Sequence, residues 1–197
     1  MRSLFLIILI SLSSYRSPGP DLSTWLIEQN SSLRINGSSN VNSFTCDVKE
    51  YLRADTLWCL QEERNSKYIF TSNSMLRLEI RKFDCHHKYI TADFRKMVKA
   101  DAYPTLIIRF LSLDPIRHGA TVKGQVLVEL AGKKKIMDVM YQCEQLPSGQ
   151  MHLTGNRTMR FPDFELEPPK KIGGLIRIRE DIDVQFNLYF RKLHSSS

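Results

Sequence analysis

The sequence predicts an all-β protein, with antiparallel strands curled around one dry interior and a single short helix near residues 91–100. Two observations carry this. Apolar and polar residues alternate with period two through much of the chain, the mark of strands that are wet on one face and dry on the other. Only one stretch changes to helical spacing, and it lies between two such strands.

Leu76-Arg77-Leu78-Glu79-Ile80-Arg81 opens this central unit as a strand, with Leu76, Leu78 and Ile80 on one face. A polar corner, Phe83-Asp84-Cys85-His86-His87, follows. Thr91 to Ala100 then sets Phe94, Met97 and Val98 on one side of a helix, with a threonine placed to cap it. Tyr103-Pro104 ends the helix, because the residue before a proline is pushed out of the α region. Thr105 to Leu113 resumes as a strand rich in β-branched and aromatic residues. Val122, Gly124, Val126, Val128 and Leu130 share a face against Lys123, Gln125 and Glu129. Met151, Leu153, Gly155, Met159 and Phe161 do the same against His152, Thr154, Asn156, Thr158 and Arg160. The cleanest alternation is the last, where Ile182, Val184, Phe186, Leu188 and Phe190 oppose Asp183, Gln185, Asn187, Tyr189 and Arg191.

Sequential antiparallel strands that are each dry on one face must curl around that face, and closure also removes exposed edges. An up-and-down barrel is the economical solution, although a two-sheet sandwich satisfies the same alternation. Several strands reach nine residues or more, which is about 30 Å at roughly 3.3 Å per residue. Eight strands enclose packed side chains or one slender ligand, so a tall barrel favours a long, thin one. The expected tunnel lining is Leu78, Ile80, Val126, Val128, Leu153, Arg157, Met159, Val184, Phe186 and Leu188. The helix serves either as core cover or as a lid over the mouth. Arg157 is the anomaly, because its parity aims a guanidinium inward. It must pair, bulge outward, snorkel at the rim or meet a ligand headgroup, since an unpaired buried charge is strongly penalised.

The run FDCHHKYITADFRKMVKADAYPTLIIRF, from Phe83 to Phe110, resembles the central segment of YceI-like proteins. INGSSNVNSFTC, from Ile35 to Cys46, resembles their early strand, and FPDFELEPPKKIGGLIRIREDIDVQFNL, from Phe161 to Leu188, resembles their closing segment. Ala131-Gly132-Lys133-Lys134-Lys135 departs from the family's usual turn. The resemblance implies an eight-stranded lipocalin-like barrel over residues 22–193. It further implies an apolar tunnel for a polyisoprenoid or similar long-chain lipid, with no catalytic signature and no cofactor. A filled barrel acting as a non-enzymatic interaction module of the envelope is the alternative, and a homodimer is compatible with either.

The chain is long enough for one domain, and no linker divides it. Met1-Arg2 followed by Leu4 to Ile10 reads as a secretory leader, residues 1–14 with a second cleavage choice at Ser17, because the apolar run is too short to span a bilayer. A periplasmic or secreted protein is the expectation. The formal charge of +7 falls by one, to +6, when Arg2 leaves with the leader. Its basic residues are scattered, with runs only at Lys133-Lys134-Lys135 and Lys170-Lys171, so no nucleic-acid stripe is expected. The runs read as solvated loop tips, or as points of loose attraction to anionic headgroups.

Cys46, Cys59, Cys85 and Cys143 make an even set in an exported chain, which points to disulfides. A hairpin turning near Leu52-Arg53 would pair Cys46 with Cys59. The family resemblance instead implies Cys46 with Cys85, leaving Cys59 with Cys143. No close ligand spacing suggests a metal, and His86-His87 point opposite ways in an extended segment, so a polar corner is the reading there. No catalytic triad, carboxylate pair or phosphate loop stands out.

Overall fold

The computed structural model describes residues 22–48, 54–62, 65–117, 119–171, 173 and 175–193. The expected leader and the turn near Leu52-Arg53 lie outside these residues. In chain order the strands are β1 (Leu22–Ile27), β2 (Ser32–Ser38), β3 (Ser43–Val48), β4 (Thr56–Gln61), β5 (Tyr68–Phe70), β6 (Met75–Glu79) and β7 (Phe83–Asp84). Helix α1 (Lys88–Met97) follows. Then come β8 (Thr105–Leu113), β9 (Thr121–Leu130), β10 (Lys133–Gln145), β11 (Met151–Arg160), β12 (Lys170–Lys171), β13 (Ile176–Arg177) and β14 (Asp181–Leu193).

Eight of these strands close a ring in the order β1-β4-β5-β8-β9-β10-β11-β14, with β14 pairing back onto β1. Every pairing in the ring is antiparallel, so the predicted eight-stranded barrel is formed. Strand β14 is long enough to hold two partners in succession. Phe190 to Leu193 pair with β1, and Asp183 to Asn187 pair with β2. Strand β8 divides in the same way, with Leu113 and Ser112 on β5 and Arg109 to Thr105 on β6. A register shift between Phe110 and Ser112 accompanies that change of partner. The barrel therefore has two tiers, one closed through β1, β4 and β5, the other built by β2, β3, β7 and β6. In the second tier the seam between β6 and β7 is bridged by a 3₁₀ turn over Ile80–Lys82.

The closed tier is packed with aromatics. Trp25 meets Tyr68, Phe70 and Phe190 edge-on at 5.1, 6.5 and 6.1 Å between ring centroids. Phe110 bridges Phe70 and Phe190 at 5.7 and 6.2 Å. Tyr141 is buried opposite Gly155; its ring lies where a side chain on Gly124 would stand, and a Cβ on Gly155 would collide with the Met140 carbonyl before it met the ring. These two glycines are there for close approach. Burial pushes the Tyr141 phenol well above its ordinary pKa. Ser74, also buried, ties the start of β6 to β4 by donating to the Trp58 carbonyl and accepting from the Trp58 amide.

The helix differs from the sequence expectation. It runs over Lys88–Met97, three residues earlier than read, and its N-cap is His87 with no side-chain cap hydrogen bond. Thr91 sits inside the helix instead. Its Oγ1 accepts from the Cys85 amide at 3.0 Å and donates to Asp84 Oδ1 at 3.3 Å. A threonine preceding an apolar run carries the same sequence signal whether it caps a helix or anchors it to the preceding corner. The C-terminal end closes with Lys99 at φ 55° and the Ala100 amide donating to the Arg95 carbonyl, a left-handed turn made without glycine.

Candidate functional site

Helix α1 lies across the second tier, and two restraints hold it there. Cys46 on β3 and Cys85 in the corner form a disulfide with Cα atoms 3.9 Å apart. Arg95 reaches back from the helix to donate to the carbonyls of Arg81 and Phe83 at 2.7 and 3.1 Å. Phe94 packs against Phe83 at 5.5 Å, and Val98 is buried. Hydrogen bonds within the corner and to β3 fix Asp84 and His86. Asp84 Oδ1 accepts from the His86 amide at 2.9 Å, and His86 Nε2 lies 3.2 Å from Asp47 Oδ2. Among the described residues no cluster of His, Cys, Asp or Glu could hold a metal ion.

Between α1 and the barrel end opens an apolar cleft of about 300 Å³. Tyr89, Ile90, Phe94 and Met97 form its helical wall, and Ile35 and Phe44 its β2 and β3 wall. Phe161, Ile176, Ile178 and Ile182 close the far side. Among the described residues its polar lining is Ser39, Asn42, His87 and Asp93. Opposite Phe44 on β2 stands Gly37, and a Cβ there would collide with the Phe44 ring. The missing side chain thus sets how far Phe44 leans into the cleft.

None of the expected tunnel residues lines this cleft. Leu78, Ile80, Val126, Val128, Leu153, Met159, Val184, Phe186 and Leu188 are all buried in the continuous core. Val126 and Leu153 border a void of about 10 Å³, as do Leu78 and Leu188 in a second one. Such voids are at the lower limit for a single water. Alternation identifies inward positions correctly, but it cannot distinguish a face that packs from a face that lines a cavity. Arg157 pairs in register with Val184 and no bulge interrupts its strand, yet it is exposed. Its charge is felt by Asp138 on the outer face of β10. The ladder between β10 and β11 ends at Met140 and Asn156, next to Arg157, so the side chain is at a rim and leaves the interior.

The cleft residues were partly legible. Ile182 and Phe161 have inward parity, and Phe94 and Met97 lie on the apolar side of the helix, but nothing in the sequence brings Ile176 and Ile178 against them. Among the cysteines, Cys46 with Cys85 agrees with the resemblance, whereas Cys59 and Cys143 are free and buried. The hairpin pairing of Cys46 with Cys59 is also absent. Strand β3 pairs with β2 and β7, while β4 pairs with β1 and β5, which places these cysteines on different strand neighbours. Strands β4 and β10, which carry Cys59 and Cys143, are likewise not adjacent in the ring. Burial raises the Cys59 thiol to about 11. The Lys133-Lys134-Lys135 run is the start of β10 and not a loop tip, and its ammonium groups pair with Glu165, Glu129 and Asp163.

No protein-family profile matches the chain, and no curated protein matches it significantly by sequence. Similarity appears in three dimensions. A polyisoprenoid-binding domain from Saccharophagus degradans, implicated in plant cell wall breakdown, superposes with a TM-score of 0.62 at 11% identity, over 86% of this chain and 98% of that one. BcnA of Burkholderia cenocepacia gives 0.53 at 12% identity, over 81% and 95%. A variant of the Campylobacter jejuni YceI protein gives 0.52 at 12% identity, over 71% and 81%. Identities this low speak to architecture alone, and the architecture of this chain is that of the YceI-like, lipocalin-like barrels.

Proposed function

We propose that the chain is an exported, non-enzymatic binding protein that holds a long-chain apolar ligand, a polyisoprenoid or similar lipid, in the cleft between α1 and the barrel. The apolar lining of that cleft carries the reading. Holding such a ligand is chiefly a matter of burial. Each methylene withdrawn from water contributes about 0.8 kcal/mol, so a dozen carbons offset the ordering cost of binding with few polar contacts. The likeness to a polyisoprenoid-binding domain supports the ligand class. The Cys46–Cys85 bridge and the leader-like N-terminus support an oxidising compartment, periplasmic or extracellular.

Solvent extraction of the purified protein, followed by mass spectrometry, tests this directly. A co-purified lipid is expected, and Ile90→Trp, which fills the cleft from the helix side, should abolish uptake of a fluorescent hydrocarbon probe. Uptake that survives Ile90→Trp in a folded variant would remove the cleft from the proposal. The packed interior around Trp25 favours a second reading, a filled barrel that recognises another envelope component. A wild-type protein that carries no lipid and takes up no probe would establish that alternative.

A further inference from the structure

We propose that the mouth of the cleft is a docking surface for an anionic lipid bilayer, from which the apolar ligand is collected; this rests on the reading of the cleft as a lipid site. The three most exposed large apolar side chains among the described residues are Leu175, Tyr89 and Val41, at 73, 72 and 65%. Exposed apolar residues scattered singly mean nothing. These three converge. Val41 and Tyr89 belong to the cleft lining, and Leu175 directly precedes Ile176, which also does.

The segments that carry Val41 and Leu175 are held together by polar clamps. Asn40 Nδ2 donates to the Leu175 carbonyl at 2.9 Å, and the Arg177 amide donates to Asn40 Oδ1 at 2.9 Å. Ser39 forms a β-bridge with Ile178, so the β2–β3 turn and the Leu175 segment are locked side by side. A rim fixed this way presents Val41 and Leu175 together.

Charge completes the surface. Tyr89 and Lys96 are seven residues apart and share one stripe of α1; Lys88 opens the helix and Lys99 follows its end. All three lysines are exposed, and Lys96 and Lys99 adjoin the cleft along a groove shared with Glu165, which pairs with Lys133, and Glu167. From Arg81 to Asp101 the chain carries six basic against three acidic residues, and Asp101 is taken up by Arg81 at 2.7 Å. Arg177 and Arg179 are exposed on the Leu175 side. Asp93, half-buried, is the one carboxylate in the described cleft lining. An aromatic, two aliphatics and flanking lysines are the composition that seats a protein at a membrane interface. A bilayer fits better than an acidic protein, because a cleft mouth pressed into lipid lets an apolar chain enter without crossing water.

Sedimentation of the purified chain with phosphatidylcholine vesicles, with and without phosphatidylglycerol, is the test. Binding is expected only to the anionic vesicles and should weaken with salt. Lys88→Gln/Lys96→Gln/Lys99→Gln should lower it about 100-fold, since each lysine near an anionic surface is worth roughly five-fold. Leu175→Ser should lower it about ten-fold while keeping the salt dependence. Both variants should take up a soluble fluorescent hydrocarbon probe as the wild type does. Vesicle binding that is absent, indifferent to lipid charge or unchanged in these variants overturns the docking surface. Failure of the wild type to take up the probe instead overturns the cleft as a lipid site. Wild-type protein that ignores vesicles but is retained by an immobilised acidic protein would assign the surface to a protein partner and refute the proposal.

Discussion

The disulfide is where stability and the cleft meet, and Cys46→Ala/Cys85→Ala separates its two effects. The bridge closes a loop across a sequence separation of 39 residues. In the chain-entropy description a loop of that size restricts the unfolded state by about 4 kcal/mol. With a urea dependence of about 2 kcal/mol per molar, the unfolding midpoint should fall by about 2 M. The thermal midpoint should fall by about 8 to 16 °C for a domain of this size. A local effect is expected as well. Beyond the bridge, the corner is tied to β3 by the two pairs Asp47–Asp84 and Val48–Phe83 and by the exposed His86–Asp47 contact at 3.2 Å, and α1 begins immediately after His87. Loosening it should widen the cleft and weaken probe binding. Val139→Ala, a core truncation in β10 away from the cleft lining, costs about 2 kcal/mol and serves as the control that lowers stability without touching the helix. Urea titration and probe titration of both variants check this. A double variant that loses under about 1 kcal/mol, or one whose probe affinity falls no more than the control's, would refute the reasoning.

Other measurements follow from particular residues. Gly37→Ala should displace the Phe44 ring and change probe affinity while leaving the core aromatics of the closed tier unaltered, which near-ultraviolet circular dichroism would report. Cys59 and Cys143, both raised by burial, should resist thiol reagents in the native protein at pH 8 and react as two thiols once it is unfolded; reactive native thiols would contradict the packing. The hydrogen bond from Lys135 holds the Asp163 carboxyl below the usual carboxylate range. Because this folded pKa is depressed, its stabilisation is present above the ordinary value and is lost as pH falls through the folded one. An NMR titration should show the Asp163 pKa rising in Lys135→Met.

Alternation alone determined that this chain is a set of antiparallel strands around a dry interior, because a period of two leaves β-structure little freedom over which residues face inward. Val184, Phe186, Leu188 and Leu153 are accordingly buried where parity places them. Sequence also showed one helix in the middle, though Thr91 misled its start. Three things were decided only in three dimensions. Whether an inward face is packed or hollow depends on how side chains from opposite walls meet, and Trp25, Phe70, Phe110 and Phe190 fill the closed tier from four different strands. Where Arg157 goes depends on the ladder between β10 and β11 ending beside it. The cleft itself is assembled from residues as distant as Ile35, Ile90 and Ile178, which no local pattern joins. Pairing of β14 with β2 and a disulfide that draws the helix onto β3 bring them together, and both are long-range contacts that the spacing of any one segment does not encode.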